Sequence, residues 1–143
     1  MKLAIFGLGY VGSVTAAALA RDGHEVVGVD PAAPKVEAIR AGRAPVLEPG
    51  LDALTARLVQ AGRLRATDDP ADALEDAELS LICVGTPSRR DGSLDLRFVR
   101  LVAEQIGSKL SRAVPGHVVV VRSTVLPGST REHVIPKIGR AHV

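Results

Sequence analysis

The stretch MKLAIFGLGYVGSV, residues 1–14, decides how the rest of the chain is read. Lys2–Phe6 form a short continuous apolar run, as expected of a buried strand. Directly after it come Gly7, Gly9 and Gly12 in the pattern G-x-G-x-x-G. Val11–Ala20 then predict a helix whose small apolar residues pack tightly on a sheet, and Gly23 stops it. The run EVVGVD, Glu25–Asp30, predicts a second strand. Together these segments make a β-α-β unit, with a right-handed crossover expected. Each glycine then has a task. Gly7 permits the sharp turn, Gly9 lets backbone approach a pyrophosphate with no Cβ in the way, and Gly12 allows close helix–sheet packing. The helix N-terminus offers unpaired N–H groups and a partial positive charge to the anion.

Asp30 closes the second strand about 20 residues beyond the fingerprint, where an acidic side chain meets the adenosine ribose. Its carboxylate accepts hydrogen bonds from both ribose hydroxyls and repels a 2′-phosphate, so NAD is favoured over NADP. Lys35 stands five residues further on. An ammonium there would also suit a 2′-phosphate, or it is simply a solvated lysine at a helix start.

Outward from this unit the alternation continues. Pro34–Ala41 and Leu51–Ala61 read as helices joined by the loop RAPVLEPG, and Leu64–Thr67 read as a strand followed by a small helix at Pro70–Leu74. LSLICVG, Leu79–Gly85, has the apolar density of a central strand buried on both faces. The polar segment TPSRRDGSLD is long enough to be a working loop. Asp95 is expected to cap the next helix, along which Phe98, Leu101, Val102, Ile106 and Leu110 form one apolar stripe. HVVVVRST predicts another buried strand, and a further helix begins at Gly128. Strands alternating with helices predict an α/β, Rossmann-type doubly wound parallel sheet, strand order 3-2-1-4-5.

In such a sheet ligands sit beyond the carboxyl ends of the strands. Thr86 and Thr124, each just past a predicted strand, are therefore candidates for contacts to ribose or phosphate oxygens. The alternative for each is a local backbone partner.

Composition bounds the rest. At 143 residues and 46% hydrophobic the chain suits one domain with an aliphatic core. Eighteen basic against sixteen acidic side chains, with no block of either sign, exclude the electrostatic footprint of a nucleic-acid binder. The single cysteine, Cys83, lies within an apolar strand and is expected to be a small buried hydrophobe rather than a nucleophile. No apolar run has membrane length, and a cytoplasmic setting is expected. The histidines at 24, 117, 133 and 142 are too scattered for a metal site. Arg89 and Arg90 form a solvated loop tip or approach a phosphate or partner, while Asp91 and Asp95 are turn and cap residues.

The phrases FGLGYVG, VVGVD followed by Lys35, LEPGL, ICVGTPSRRDGSLDL and VVVRSTVLPGS, in this order, resemble the N-terminal domain of the UDP-glucose/GDP-mannose dehydrogenase family from Met1 to about Lys137. TPSRRDGSLDL and RSTVLPG look more like GDP-mannose 6-dehydrogenases than UDP-glucose enzymes. The resemblance implies oxidation of a nucleotide-sugar primary alcohol to a carboxylate in two NAD-dependent steps by a homo-oligomeric full-length enzyme. It implies cofactor contacts from Tyr10 and Val11, and from Asp30, Lys35, Thr86 and Thr124. Glu48 of LEPGL matches a family motif without an assigned role.

The family's cysteine nucleophile, with its assisting lysine and asparagine, lies downstream of everything here, and Cys83 does not match it. The chain is therefore expected to be a C-terminally truncated NAD-binding domain, residues 1–137, that is not catalytically competent alone and that lacks part of the nucleotide-sugar site. The last six residues, IGRAHV, leave the family pattern and read as one frame of a sequencing-library adapter, so 138–143 are expected to be a non-native tail. Two alternatives stay open: a UDP-sugar 6-dehydrogenase, and a non-catalytic NAD-binding regulatory module.

Overall fold

The computed structural model describes residues 1–139. Five parallel strands form one sheet: β1 (Lys2–Phe6), β2 (Glu25–Val29), β3 (Leu64–Thr67), β4 (Leu79–Ile82) and β5 (Val118–Val121). Their order is β3-β2-β1-β4-β5, as expected. The chain leaves β1 towards β2 on one side and later returns to β4 on the other. The loops after β1 and β4 therefore diverge and open a crevice at the sheet's carboxyl edge.

Side chains alternate across the sheet with the two-residue period of a strand. Leu3 and Ile5 face the layer built by α1 (Tyr10–Arg21), α2 (Ala33–Arg40) and α3 (Leu51–Gln60), where Ala16, Ala17, Ile39 and Leu58 are buried. Ala4 and Phe6 face the other layer, built by α4 (Pro70–Leu74), α5 (Arg97–Lys109) and α6 (Ile135–Gly139), with Val99, Ala103 and Ile106 in the core. A wide π-type turn, Thr130–Val134, leads into α6. Pro136 has no amide for the carbonyl four residues back, which favours the looser turn there. Ile138 packs onto the second core, its backbone so close to Gly107 of α5 that a Cβ there would lie 2.8 Å from the Lys137 carbonyl oxygen. Residues 140–143, within the expected non-native tail and including His142, lie outside the described residues.

Two expectations about burial are corrected. HVVVV is not a buried strand. As β5 it lies at the sheet's end, with Val118 and Val120 exposed on the face that carries α1. The same gap leaves Leu79 and Leu81 of β4 only partly covered, so that strand is buried on one face through Ser80 and Ile82. The stripe along α5 also falls differently. Its buried face is Val99, Val102, Ala103, Ile106 and Gly107, whereas Phe98 and Leu101 are 48% and 51% exposed. Counting large apolar residues missed Ala103 and Gly107, which allow α5 to lie close to its neighbours and so set which side faces inward. No helix among the described residues is long and apolar enough to cross a membrane.

Candidate functional site

The turn after β1 is fixed by steric necessity. Gly7 has φ +100°, a left-handed conformation, and its amide donates to the Val29 carbonyl at 2.8 Å. At Gly12 a Cβ would lie 1.7 Å from the Gly7 carbonyl oxygen, so no other residue fits. By contrast, a Cβ at Gly9 would meet nothing within 4 Å; that side of the turn is open. Gly9 is also the N-cap of α1. The Ser13 amide makes the first intrahelical bond, to the Gly9 carbonyl at 2.9 Å. Upstream of it the amides of Tyr10, Val11 and Gly12 have no intrahelical acceptor, and no acidic residue occupies the first turn. An anion is attracted to such an end by free donors and by the helix dipole together.

Asp30, at the end of β2, is buried and tied into this turn. Its Oδ2 accepts from the Leu8 amide at 2.8 Å and from Lys35 Nζ at 3.2 Å, and its Oδ1 accepts from the Ala32 amide at 2.9 Å. A carboxylate has about four lone-pair positions, so one position on Oδ1 stays available to a hydroxyl. Lys35 lies near the start of α2, and its ammonium is directed to Asp30, which lowers its value as a partner for a second anion.

Beside Asp30 is a cavity of about 270 Å³ at the carboxyl edge of the sheet. Phe6 and Val29 line it from the strands, Val84 from the loop after β4, Phe98 and Leu101 from α5, and Lys35 and Asp68 add charge. It accepts a flat apolar body with a polar edge. Sequence reasoning missed Phe98 and Leu101 as cavity residues. They lie beside the buried face centred on Val99 and Ile106, a placement that only the packing of α5 reveals. A wider groove of about 590 Å³ between β5 and α6 contains none of the predicted site residues.

Thr86 and Thr124 come together on the β4–β5 side, where the Thr86 hydroxyl donates to the Thr124 carbonyl at 2.8 Å. Ser123 ties the same two loops through its hydroxyl to the Val84 carbonyl at 2.6 Å. Tyr10 and Val11 are exposed at the first turn of α1, with the Tyr10 hydroxyl bonded to Glu48. That hydrogen bond raises the phenol's pKa, since it holds the proton between the two oxygens. Cys83 lies buried beneath the glycine turn, where burial pushes the thiol up to about 11, far from a nucleophilic thiolate. Asp95 accepts from the Arg97 amide at 3.0 Å and so serves the start of α5, one residue before the N-cap Leu96. Asp91 binds the amide and hydroxyl of Ser93 within its turn.

A parallel sheet with a reversal of strand order at β1, a glycine turn opening a helix there and an acid closing the adjacent strand defines a dinucleotide-binding Rossmann domain. The sequence pattern of the UDP-glucose/GDP-mannose dehydrogenase family, NAD binding domain, matches residues 1–142, and the chain belongs to that family. Over 136 residues it is 51% identical to a GDP-mannose 6-dehydrogenase of Azotobacter vinelandii, covering 95% of this chain and 31% of the relative. With a UDP-glucose 6-dehydrogenase of Rhizobium meliloti it shares 42% identity over 135 residues, 94% of this chain and 30% of that protein. Among solved structures, a ternary complex of GDP-mannose dehydrogenase from Pseudomonas aeruginosa superposes with a TM-score of 0.95 at 48% identity, covering 99% of this chain and 32% of that one. The chain thus spans about a third of the length of the relatives it matches.

Proposed function

We propose that this chain is the cofactor half of a nucleotide-sugar 6-dehydrogenase that oxidises a GDP-mannose-type primary alcohol to the carboxylate. The observation that carries the cofactor assignment is the bond from the Leu8 amide to Asp30 Oδ2, which locks the acid to the glycine turn. A single rigid unit then presents phosphate donors and a ribose acceptor together. The residues fit an adenine dinucleotide. Open space at Gly9 admits the pyrophosphate to the amides of Tyr10, Val11 and Gly12, and Asp30 receives the adenosine ribose. The apolar cavity walled by Phe98 and Leu101 takes the adenine. Thr86 and Thr124, in the loops that follow β4 and β5, border the further half of the cofactor.

A bound NAD would supply the acceptor for hydride from the sugar's primary carbon, with a fresh NAD needed for each of the two oxidation steps. The protein's part within this chain is to bind and orient: Asp30 selects NAD over NADP by charge, and its ion pair with Lys35 removes the cation a 2′-phosphate would need. With Cys83 buried and protonated, no thiolate is available here for covalent work on the sugar, so this stretch alone turns over nothing. The higher identity to GDP-mannose enzymes supports that substrate over UDP-glucose. Calorimetry of the 143-residue chain should register binding of NAD and at least tenfold weaker binding of NADP, on the order expected for a charge conflict at the ribose. No heat with NAD, or equal affinity for both, overturns the assignment. Oxidation assays of the longer protein with GDP-mannose and UDP-glucose decide the sugar.

A further inference from the structure

The LEPG strap between α2 and α3 has no part in the cofactor site described above, yet it is held against that site. Its root is fixed: the Ala44 amide donates to Asp52 Oδ1 at 2.8 Å, and Ala44 and Val46 pack on the core. Its far end is set by the Leu51 amide bonding the Glu48 carbonyl at 3.1 Å and by the left-handed Gly50. Between these anchors the Leu47 side chain stands fully in solvent, while Glu48 folds back so that its Oε2 accepts from the Tyr10 hydroxyl at 2.5 Å. Tyr10 is the first residue of α1 and is 55% exposed, with little packing to choose the orientation of its side chain. The charge-assisted bond to Glu48 supplies that choice.

We propose that Glu48 is a positioning residue for NAD: it latches the Tyr10 ring in one orientation beside the first turn of α1. One wall of the pyrophosphate site is then in place before the cofactor arrives. The inference rests on the cofactor assignment above. Its physical basis is that ordering a free side chain on binding weakens affinity, and a side chain already ordered in the free protein avoids that loss. A carboxylate suits the task better than an amide because it is the stronger acceptor for a phenol.

Tyr10 is the single tyrosine and there is no tryptophan, so the chain's aromatic emission and near-ultraviolet titration report on this one bond. Without NAD, the wild-type chain should show quenched tyrosine emission and a phenol that ionises at higher pH than in Glu48→Ala. With NAD, calorimetry should find Glu48→Ala and Tyr10→Phe each about three- to tenfold weaker than wild type, and the double variant no weaker than the weaker single. Glu48→Gln, which can still accept the bond, should recover part of the affinity. Tyr10→Phe removes one exposed oxygen and keeps the test valid if a strap variant loses structure. Wild-type NAD affinity in Glu48→Ala, or losses that add in the double variant, overturns the latch alone. A folded wild-type chain that takes up no NAD overturns the cofactor assignment and this role with it.

Discussion

Around Gly7–Gly12 the carboxyl edge of the sheet is over-determined, whereas around Thr86 and Thr124 it is lightly held. On the first side, Gly12 has no room for a Cβ, Gly7 sits in a left-handed conformation, and a buried Asp30 binds the amides of Leu8 and Ala32. On the second, two loops meet through the hydroxyls of Thr86 and Ser123 on a terminal strand whose Val118 and Val120 face solvent. The difference teaches that the half proposed to receive adenosine and pyrophosphate is built within a single β-α-β unit, from Gly7 to Asp30. The other half has one apolar sheet face without a cover among the described residues, and an uncovered strand end is also a site of self-association.

The largest expected effect is at the rigid side. Gly12→Ala must push Cβ into the Gly7 carbonyl and should cost more than about 4 kcal/mol, or prevent folding, in urea denaturation. Near-wild-type stability would mean that the turn gives way. Next comes a paired test across β4 and β5. Ile82→Ala, at a fully buried position, should lose about 2–5 kcal/mol, and Val118→Ala, half in solvent, less than about 1 kcal/mol. Equal losses would erase the contrast between the two sides.

The smallest effect is at Cys83. Its folded pKa, pushed up to about 11, lies above the value of 9.0 for an exposed thiol. Above pH 9 the unfolded chain therefore loses a proton that the folded chain keeps. This contribution to stability is complete below about pH 9 and falls away as pH rises towards 11. Equilibrium unfolding followed across that window checks the sign, and rapid alkylation of the native thiol at pH 8 would contradict its burial.

How much was legible in the sequence differs along the chain for the same reason that the two sides differ. The glycine turn, Asp30 and the alternation of strands with helices could be read because local sterics and periodicity dictate them, and the order of strands followed from that alternation through the rules of doubly wound sheets. A left-handed turn requires Gly7, and short apolar runs alternating with helical patterns point to the strands of a parallel sheet. HVVVV has the same apolar density as an inner strand, and nothing in it records that no strand pairs beyond it among the described residues. Phe98 and Leu101 likewise carry no mark separating a core position from a cavity wall, because their place depends on how Ala103 and Gly107 let α5 settle.

The sequence by itself determined the alternation of strands and helices, the glycine turn and the acid beside it, since each follows from periodicity or backbone sterics over a few neighbouring residues. Only the tertiary structure decided the rest. It paired Tyr10 with Glu48, turned Lys35 towards Asp30, brought Thr86 to the Thr124 carbonyl and opened a cavity against α5. Except for Lys35 and Asp30, those partners stand far apart along the chain. Contacts between distant segments are set by how whole helices pack on the sheet, which no short stretch of residues encodes.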